Sequence, residues 1–459
     1  MRNQYLIPTS EAQVPPSEAA DVAQGLGIDL ATFLFPLLVT LDSLLDKRLV
    51  RTFLSTIQLI ITFRDRVHGL LLSEMGGFLL DPEHERAGTK RLANLVHSPN
   101  WSAAVIEHFL WQRATEVLTH LEELGQPIYA IWDESVWEKP ESQKMEDLGP
   151  VRSSKAHRLT HYKPGYYRPP RRPICVPGMN WLGLLLVGPQ ARLGPPVVAA
   201  MRWWSSRGPH ADKKGKLEAG LLLECVAAWG RRVIHVFDRG FATSPWLRLC
   251  FALQQHLIVR WPHRQYLIDE HGRARKAWQI ARGKRAWGRR KIWNAHLGRT
   301  LDTAVLAFAV HHPDFAVPLW LVVSRQGKGR RPWYILTTEE VRTEEQAWKI
   351  VFAYARRWQI EGTWRFQKSE LGFECPRLRE WEHCRKLLLL ATLAYAFLLT
   401  LLREGKRGVR EWLLRHYCHR TGKKARQASL PLYRLRLAVS RLWQRHPPRF
   451  ELLAMRRLT

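Results

Sequence analysis

The sequence lacks paired cysteines. Its 459 residues contain six Cys, far apart along the chain, and no C-x-x-C pair occurs among them. Zinc sites and disulfide frameworks both need closely or regularly spaced cysteines, so this spacing argues against either. Scattered free thiols are typical of a reducing compartment, and we expect a cytoplasmic protein.

A run of apolar residues long enough to cross a membrane is also missing. The longest, Leu387 to Leu402, has 16 residues, whereas a spanning helix needs about 20. We therefore predict a buried core helix at this position and no membrane partner.

Acidic residues are in short supply. The chain has 71 Lys and Arg against 41 Asp and Glu, a net charge of +30. Such an excess indicates a polyanionic partner, most simply nucleic acid, with an anionic membrane surface as the alternative.

Two stretches contain no acid at all. Arg152 to Arg172 has seven Lys and Arg, and Arg273 to Arg299 has ten. Aromatic residues lie between these cations: Tyr162, Tyr166, Tyr167, Trp278, Trp287 and Trp293. Cations interleaved with aromatic rings suit a surface that follows a phosphate backbone, although a solvated loop has the same composition.

No proline interrupts the segment from Thr343 to Leu371. It opens with a capping box, Thr343 and Gln346, and Gly372 follows its end. The pattern predicts one helix of about 28 residues.

One narrow stripe of that helix carries Tyr354, Arg357, Glu361 and Lys368. A carboxylate can bind a metal ion, while the two cations and the phenol bind phosphate oxygens. A solvated helix face with charge pairs three or four residues apart would look the same.

Two further acids follow predicted strands. Ile128 to Trp132 is a short apolar run with Asp133 after it, and Val233 to Phe237 is followed by Asp238. Glu134 is the rival of Asp133, but successive strand side chains point to opposite faces, so only one of the two can enter a site.

The spacing Tyr-x2-Arg-x3-Glu-x6-Lys, matched by Tyr354, Arg357, Glu361 and Lys368, resembles the signature of insertion-sequence transposases of the IS-four type. The run Asp238 to Phe241 resembles their second motif, and Trp333 to Glu339 resembles the stretch before their catalytic Glu. The resemblance covers about Ile128 to Leu371.

This resemblance implies a DDE enzyme with a ribonuclease-H-like core. Asp133, Asp238 and Glu361 would bind two Mg²⁺ (or Mn²⁺) ions, while Tyr354, Arg357 and Lys368 position phosphates. A tryptophan at the position of Trp333 receives or props a base flipped out of the duplex end; a core tryptophan is the alternative. The implied partners are transposon ends and target DNA, held by a homodimer at the bacterial nucleoid.

The expected fold is α/β in five parts. Residues 1–125 form a helical N-terminal domain that binds DNA or, equally, protein. Residues 126–261 and 339–402 form the ribonuclease-H-like core, interrupted by a basic, mainly β insertion at 262–338. Residues 403–459 form a basic helical region.

Other classes of function stay open at this point. A basic DNA-binding protein without catalysis has the charge but no need for three such acids. A nuclease that cuts without joining shares every motif, and a peripheral membrane protein shares the charge.

Overall fold

The computed structural model describes residues 14–65, 67–142, 144–155, 172–189, 195–294, 299–327, 330–418 and 431–450. Most of the first acid-free stretch, with its three tyrosines, lies outside the described residues, as does the side chain of Trp293.

The N-terminal part is helical, as the apolar pattern predicts. Its helices are α1 (Pro16–Asp42), α2 (Lys47–Thr62), α3 (Leu72–Leu79), α4 (Glu85–His97) and α5 (Ala103–Glu123). Asp46 caps α2, because its carboxylate accepts hydrogen bonds from the backbone amides of Arg48 and Leu49. Whether this part binds DNA stays a prediction.

The rest of the chain is built on one mixed sheet. Its strands are β1 (Tyr129–Glu138), β2 (Gly149–Arg152), β3 (Cys175–Val187), β4 (Val197–Trp204), β5 (Ile234–Phe237), β6 (His256–Arg260), β7 (Tyr266–Ile268), β8 (Ala274–Lys276), β9 (Gly288–Asn294), β10 (Arg299–His312), β11 (Phe315–Gln326) and β12 (Trp333–Thr337).

The central strands run antiparallel and then parallel. β3 pairs antiparallel with β1 and β4, whereas β5 lies parallel to both β1 and β6. β12 then pairs antiparallel with β6 and leads into β11 and β10. The region predicted as a β insertion therefore extends the same sheet. The fold is α/β, as predicted, and its sheet is large and mixed.

The remaining helices are α6 (Lys214–Trp229), α7 (Ser244–Ala252), α8 (Ala277–Ala281), α9 (Glu344–Ala355), α10 (Trp358–Ser369), α11 (Trp381–Thr400), α12 (Arg407–His416) and α13 (Leu432–Arg445). Both faces of the sheet are apolar. Ile131 and Val236 belong to the core that includes α10 and α11, while Trp132 and Phe237 belong to the core that includes α5, α6 and α7.

Helix α11 is the buried core helix that the 16-residue apolar run predicts. Two helices, α1 and α11, are long and apolar enough to span a membrane, but 78% of the α11 window is buried inside the protein. It packs against α2, α5 and α13 in one continuous apolar core. The division into five domains stays a prediction.

The prediction of one helix from Thr343 to Leu371 is wrong. The capping box at Thr343 is present, but α9 ends at Ala355 and α10 begins at Trp358. The Arg357 amide bonds to the Tyr354 carbonyl and the Ile360 amide to the Arg357 carbonyl, so the chain tightens to three-residue spacing. The side chains of the stripe therefore cannot be placed by one helical wheel.

Candidate active site

Asp133 lies inside a strand, not at its end. The predicted strand stops at Trp132, but β1 continues to Glu138 because β3 pairs with its whole length. The parallel partner β5 accompanies β1 only as far as the pair Ile131 and Val236. Asp133 therefore lies in a part of β1 that pairs with β3 on one side but no longer with β5 on the other.

Asp238 lies beside this part of β1. It follows the last residue of β5 and, like Asp133, stands two positions beyond the pair Ile131 and Val236. Because side chains alternate along a strand, this spacing directs both aspartates to the same face. The Asp238 carboxylate also accepts a hydrogen bond of 2.5 Å from the Gly240 amide, which fixes the turn after β5.

Helix α10 lies close over this face because β3 carries a glycine there. Gly183 is paired with Asp133, and a Cβ at Gly183 would stand 2.1 Å from the ring of Trp364. Trp364 therefore fills the space that a side chain at position 183 would occupy. This contact brings the start of α10, with Glu361, over Asp133.

Arg357 joins two of the predicted acids. Its Nη2 donates to Glu361 Oε1 at 2.5 Å, and its Nη1 lies 3.6 Å from Asp133 Oδ2. The Arg357 side chain is only 9% exposed. Burial alone lowers the pKa of an arginine, but the neighbouring Tyr354, Asp133 and Glu361 raise that of Arg357 above its ordinary value.

The third acid lies within electrostatic reach of the first. Burial raises the pKa of Asp133 most, Arg357 opposes the rise, and the negative charges of Asp238 and Glu361 add to it, giving about 7. The structure thus brings Asp133, Asp238 and Glu361 into one neighbourhood from three distant parts of the chain.

Tyr354 and Trp333 form the wall beside Arg357. The Arg357 guanidinium lies 5.9 Å from the centre of the Tyr354 ring, and the Trp333 ring meets Tyr354 edge-on at 5.3 Å. Trp333 is half-buried at the start of β12. Part of its ring is therefore open to a partner, while the other part packs against the core.

Arg260 is a candidate that the motifs do not reveal. Its guanidinium lies 5.5 Å over the Trp333 ring and donates to the Pro332 carbonyl at 2.8 Å. Its Nη1 is buried and has no hydrogen-bond partner among the described residues. Arg260 ends β6, the strand next to Asp238, and an arginine at the end of a neighbouring parallel strand is the sequence signal that points to it.

Lys368 lies apart from the other signature residues. Its ammonium donates to the Val136 carbonyl and lies 5.7 Å from the Trp181 ring, with Glu374 at 3.9 Å. Val136 is three residues beyond Asp133 on β1. Lys368 is seven residues beyond Glu361 on α10, a rise of roughly 10 Å along the helix. Lys368 therefore faces another part of β1.

Glu134 points to the opposite face of the sheet, away from Arg357. Its carboxylate pairs with Lys214 of α6 and shares a hydrogen bond with Glu218. Burial and then this bond raise the pKa of Glu218 to about 8. Of the two neighbouring acids, only Asp133 shares the face of Glu361.

Carboxylate oxygens are the ligands that Mg²⁺ and Mn²⁺ prefer, so the donor types at this site fit hard divalent cations. Within the described ranges, however, no three acid, His or Cys side chains stand close enough together to hold a metal ion as they are. The Arg357 guanidinium pairs with two of the three carboxylates instead.

Comparison with known proteins finds a transposase domain in part of the chain. Residues 211–397 match the family model of the transposase DDE domain, a range that contains Asp238 and Glu361 but not Asp133. This match supports a DDE transposase.

A cryo-EM structure of the piggyBac transposase synaptic complex with hairpin DNA is weakly similar. Its TM-score is 0.37 at 12% sequence identity, and the match covers 99% of this chain and 79% of that chain. No curated protein matches the sequence.

Proposed function

We propose that this chain is a DDE transposase of the IS-four insertion-sequence type, with a ribonuclease-H-like core. It would cut DNA at transposon ends and join the ends to target DNA. The observation that carries the proposal is that Arg357 pairs with both Asp133 and Glu361, while the charge of Asp238 acts on the same Asp133 carboxyl. The strand order, with three antiparallel strands followed by two parallel ones, supports the proposed core.

The three carboxylates would hold two Mg²⁺ or Mn²⁺ ions, which when bound would activate water and neutralise charge on the scissile phosphate. Buried carboxylates that face each other need positive charge nearby. Arg357 supplies that charge to the half-buried Asp133 and Glu361. Its guanidinium is then placed to contact a phosphate at the same point.

The aromatic wall would hold the end of the duplex. Trp333 offers a ring face for an unpaired base, and Tyr354 and Arg260 fix the orientation of that ring. Stacking offsets part of the few kcal/mol that unstacking costs. Lys368 would contact a phosphate further along β1. Two such chains would hold the two ends in a homodimer at the nucleoid of a bacterial cytoplasm.

Glu361→Gln tests the proposal. In a plasmid that carries the DNA flanking this reading frame, we expect loss of Mg²⁺-dependent strand cleavage with DNA binding nearly intact. Glu340→Gln is the matched control, because Glu340 is exposed and pairs only with Arg342 among the described residues. Retained cleavage in Glu361→Gln would remove the proposed triad.

Gel electrophoresis of the products of this reaction distinguishes two functions. Labelled ends joined to a supercoiled target indicate a transposase, whereas cut ends without joined products indicate a nuclease that shares the core.

A further inference from the structure

Three exposed arginines stand at the edge of the sheet next to Asp238. Arg239 directly follows Asp238, Arg264 follows β6, and Arg331 precedes β12. We call these residues, together with the exposed His263, the arginine edge. Arg239 lies in the run Asp238 to Phe241 but was given no role there, and the other three residues belong to none of the motifs discussed above.

Backbone hydrogen bonds hold the edge in place. The Gln265 amide bonds to the Pro262 carbonyl at 3.0 Å, so His263 and Arg264 occupy the two central positions of a tight turn. The Trp261 amide bonds to the Tyr334 carbonyl at 2.8 Å, which fixes this turn against the start of β12. His263 and Arg264 therefore come from a turn that is fixed against the sheet.

The charges of the edge arginines all act on His263. The His263 ring stacks beside the Tyr334 ring with centres 6.3 Å apart. Loss of water and then the charges of Arg264, Arg331, Arg239 and Arg260 lower the pKa of His263. The charges of four guanidinium groups thus act on the same imidazole, and because the potentials of like charges add, the potential at this edge is positive.

Within the part of the chain that the structure describes, Arg239, Arg264 and Arg331 pair with no carboxylate. Four arginines of the acid-free stretch from Arg273 to Arg299 differ, because they lie beside acids. Arg289 lies 3.1 Å from Asp302, and Arg290 lies 2.5 Å from Glu345. The edge is therefore a site where positive charge is left for a partner.

We propose that the arginine edge binds backbone phosphates of the DNA strand that passes Asp238. This inference rests on the proposed function, since it places DNA at the catalytic acids. The edge continues from Asp238 across β5, β6 and β12, about 10 Å at the usual strand spacing. Phosphate contacts carry no sequence information, so a duplex of any sequence can fill the site.

The test measures the binding of an arbitrary-sequence duplex in EDTA at several salt concentrations. The variant is R239A/R264A/R331A, and the matched control is R273A/R289A/R290A. The control removes three arginines that pair with acids, the exposed Arg273 and Arg289 and the half-buried Arg290. Each lost phosphate contact reduces the salt slope by about 0.9. We expect a slope reduced by roughly 2–3 and binding weakened on the order of 100-fold at about 0.1 M salt.

The control should lose much less affinity. Equal losses in the two triple variants, or no loss in the edge variant, would overturn the proposal. If the edge triple variant unfolds, R331A against R289A makes the same comparison with a single exposed arginine in each protein.

Two further arms identify the DNA. Loss of cleavage as well as joining assigns the edge to the transposon end, whereas loss of joining alone assigns it to target DNA. Binding in EDTA does not depend on the catalytic acids. Weak binding by the edge variant would therefore support the arginine edge even if Glu361→Gln kept cleaving. Conversely, unchanged binding by the edge variant would reject the edge without bearing on the proposed triad.

Discussion

The arginine edge and the stretch from Arg273 to Arg299 are both rich in cations, but their pairing differs. Four of the ten cations of the stretch lie beside carboxylates, whereas the three arginines of the edge pair with none among the described residues. Arg273 and Arg275 lie 3.6 and 3.8 Å from the buried Asp269, while Arg289 and Arg290 pair with Asp302 and Glu345. These acids all lie outside the acid-free stretch. A run of positive charge in a sequence therefore overestimates the charge that reaches a ligand.

A second contrast concerns burial. The side chain of Arg357 is 9% exposed between two carboxylates, whereas that of Arg289 is 69% exposed beside one. An exposed pair contributes little, because water and salt screen it. A buried pair leaves an uncompensated charge when one partner is removed.

Arg357→Ala should give the largest effect on stability. Removing the guanidinium leaves Asp133 and Glu361 facing each other, and we expect the free energy of unfolding of the metal-free protein to fall by about 3–5 kcal/mol. Denaturant unfolding in EDTA measures it. Arg289→Ala is the control, with an expected loss of about 0–1 kcal/mol. Similar losses in both would contradict the assigned role of Arg357.

Asp133→Asn should change how stability depends on pH. The pKa of Asp133 is about 7 in the folded chain against an ordinary 3.8, so the folded state holds the proton more tightly. The protonated Asp133 carboxyl contributes fully to stability below about pH 4, and this contribution is lost as the pH rises to about 7.

Asparagine has no such proton. Between pH 4 and 8 in EDTA, we expect Asp133→Asn to gain roughly 2–4 kcal/mol relative to the natural chain. Parallel curves for the two proteins would show that Asp133 is not buried among the other acids.

Asp302→Asn should give the smallest effect, and in the opposite direction from loss of the arginine edge. It frees Arg289, so DNA affinity should rise by up to several-fold at low salt. The arbitrary-sequence duplex in EDTA is again the probe. Unchanged affinity would mean that the Arg289 surface lies away from bound DNA, and weaker binding would contradict the masking of charge by Asp302.

Much of the fold can be predicted from local patterns. The predicted strand Val233 to Phe237 agrees with β5 within one residue, and most of the apolar run Leu387 to Leu402 lies in the buried helix α11. Apolar periodicity and turn residues decide such elements locally, since each strand must bury one or both faces.

Two features of the site could not be predicted in this way. β1 continues past Asp133 because β3, about fifty residues later, supplies hydrogen-bond partners along its whole length. The break between α9 and α10 lies within a sequence of good helix formers. The buried Arg356 donates to the Gly188 carbonyl at the end of β3, so tertiary contacts hold that turn.

By itself, the sequence determined which residues are present for the proposed chemistry: three acids, an arginine and a tyrosine at fixed spacing, and a large excess of positive charge. Only the tertiary structure decided which of these groups meet. In the folded chain Glu134 lies on the opposite face from Asp133, Lys368 contacts β1 at Val136, and Arg260 lies over Trp333. Among the described residues, the three arginines of the arginine edge pair with no carboxylate. The physical reason is that charge pairing and burial depend on distances between segments that are remote in the chain.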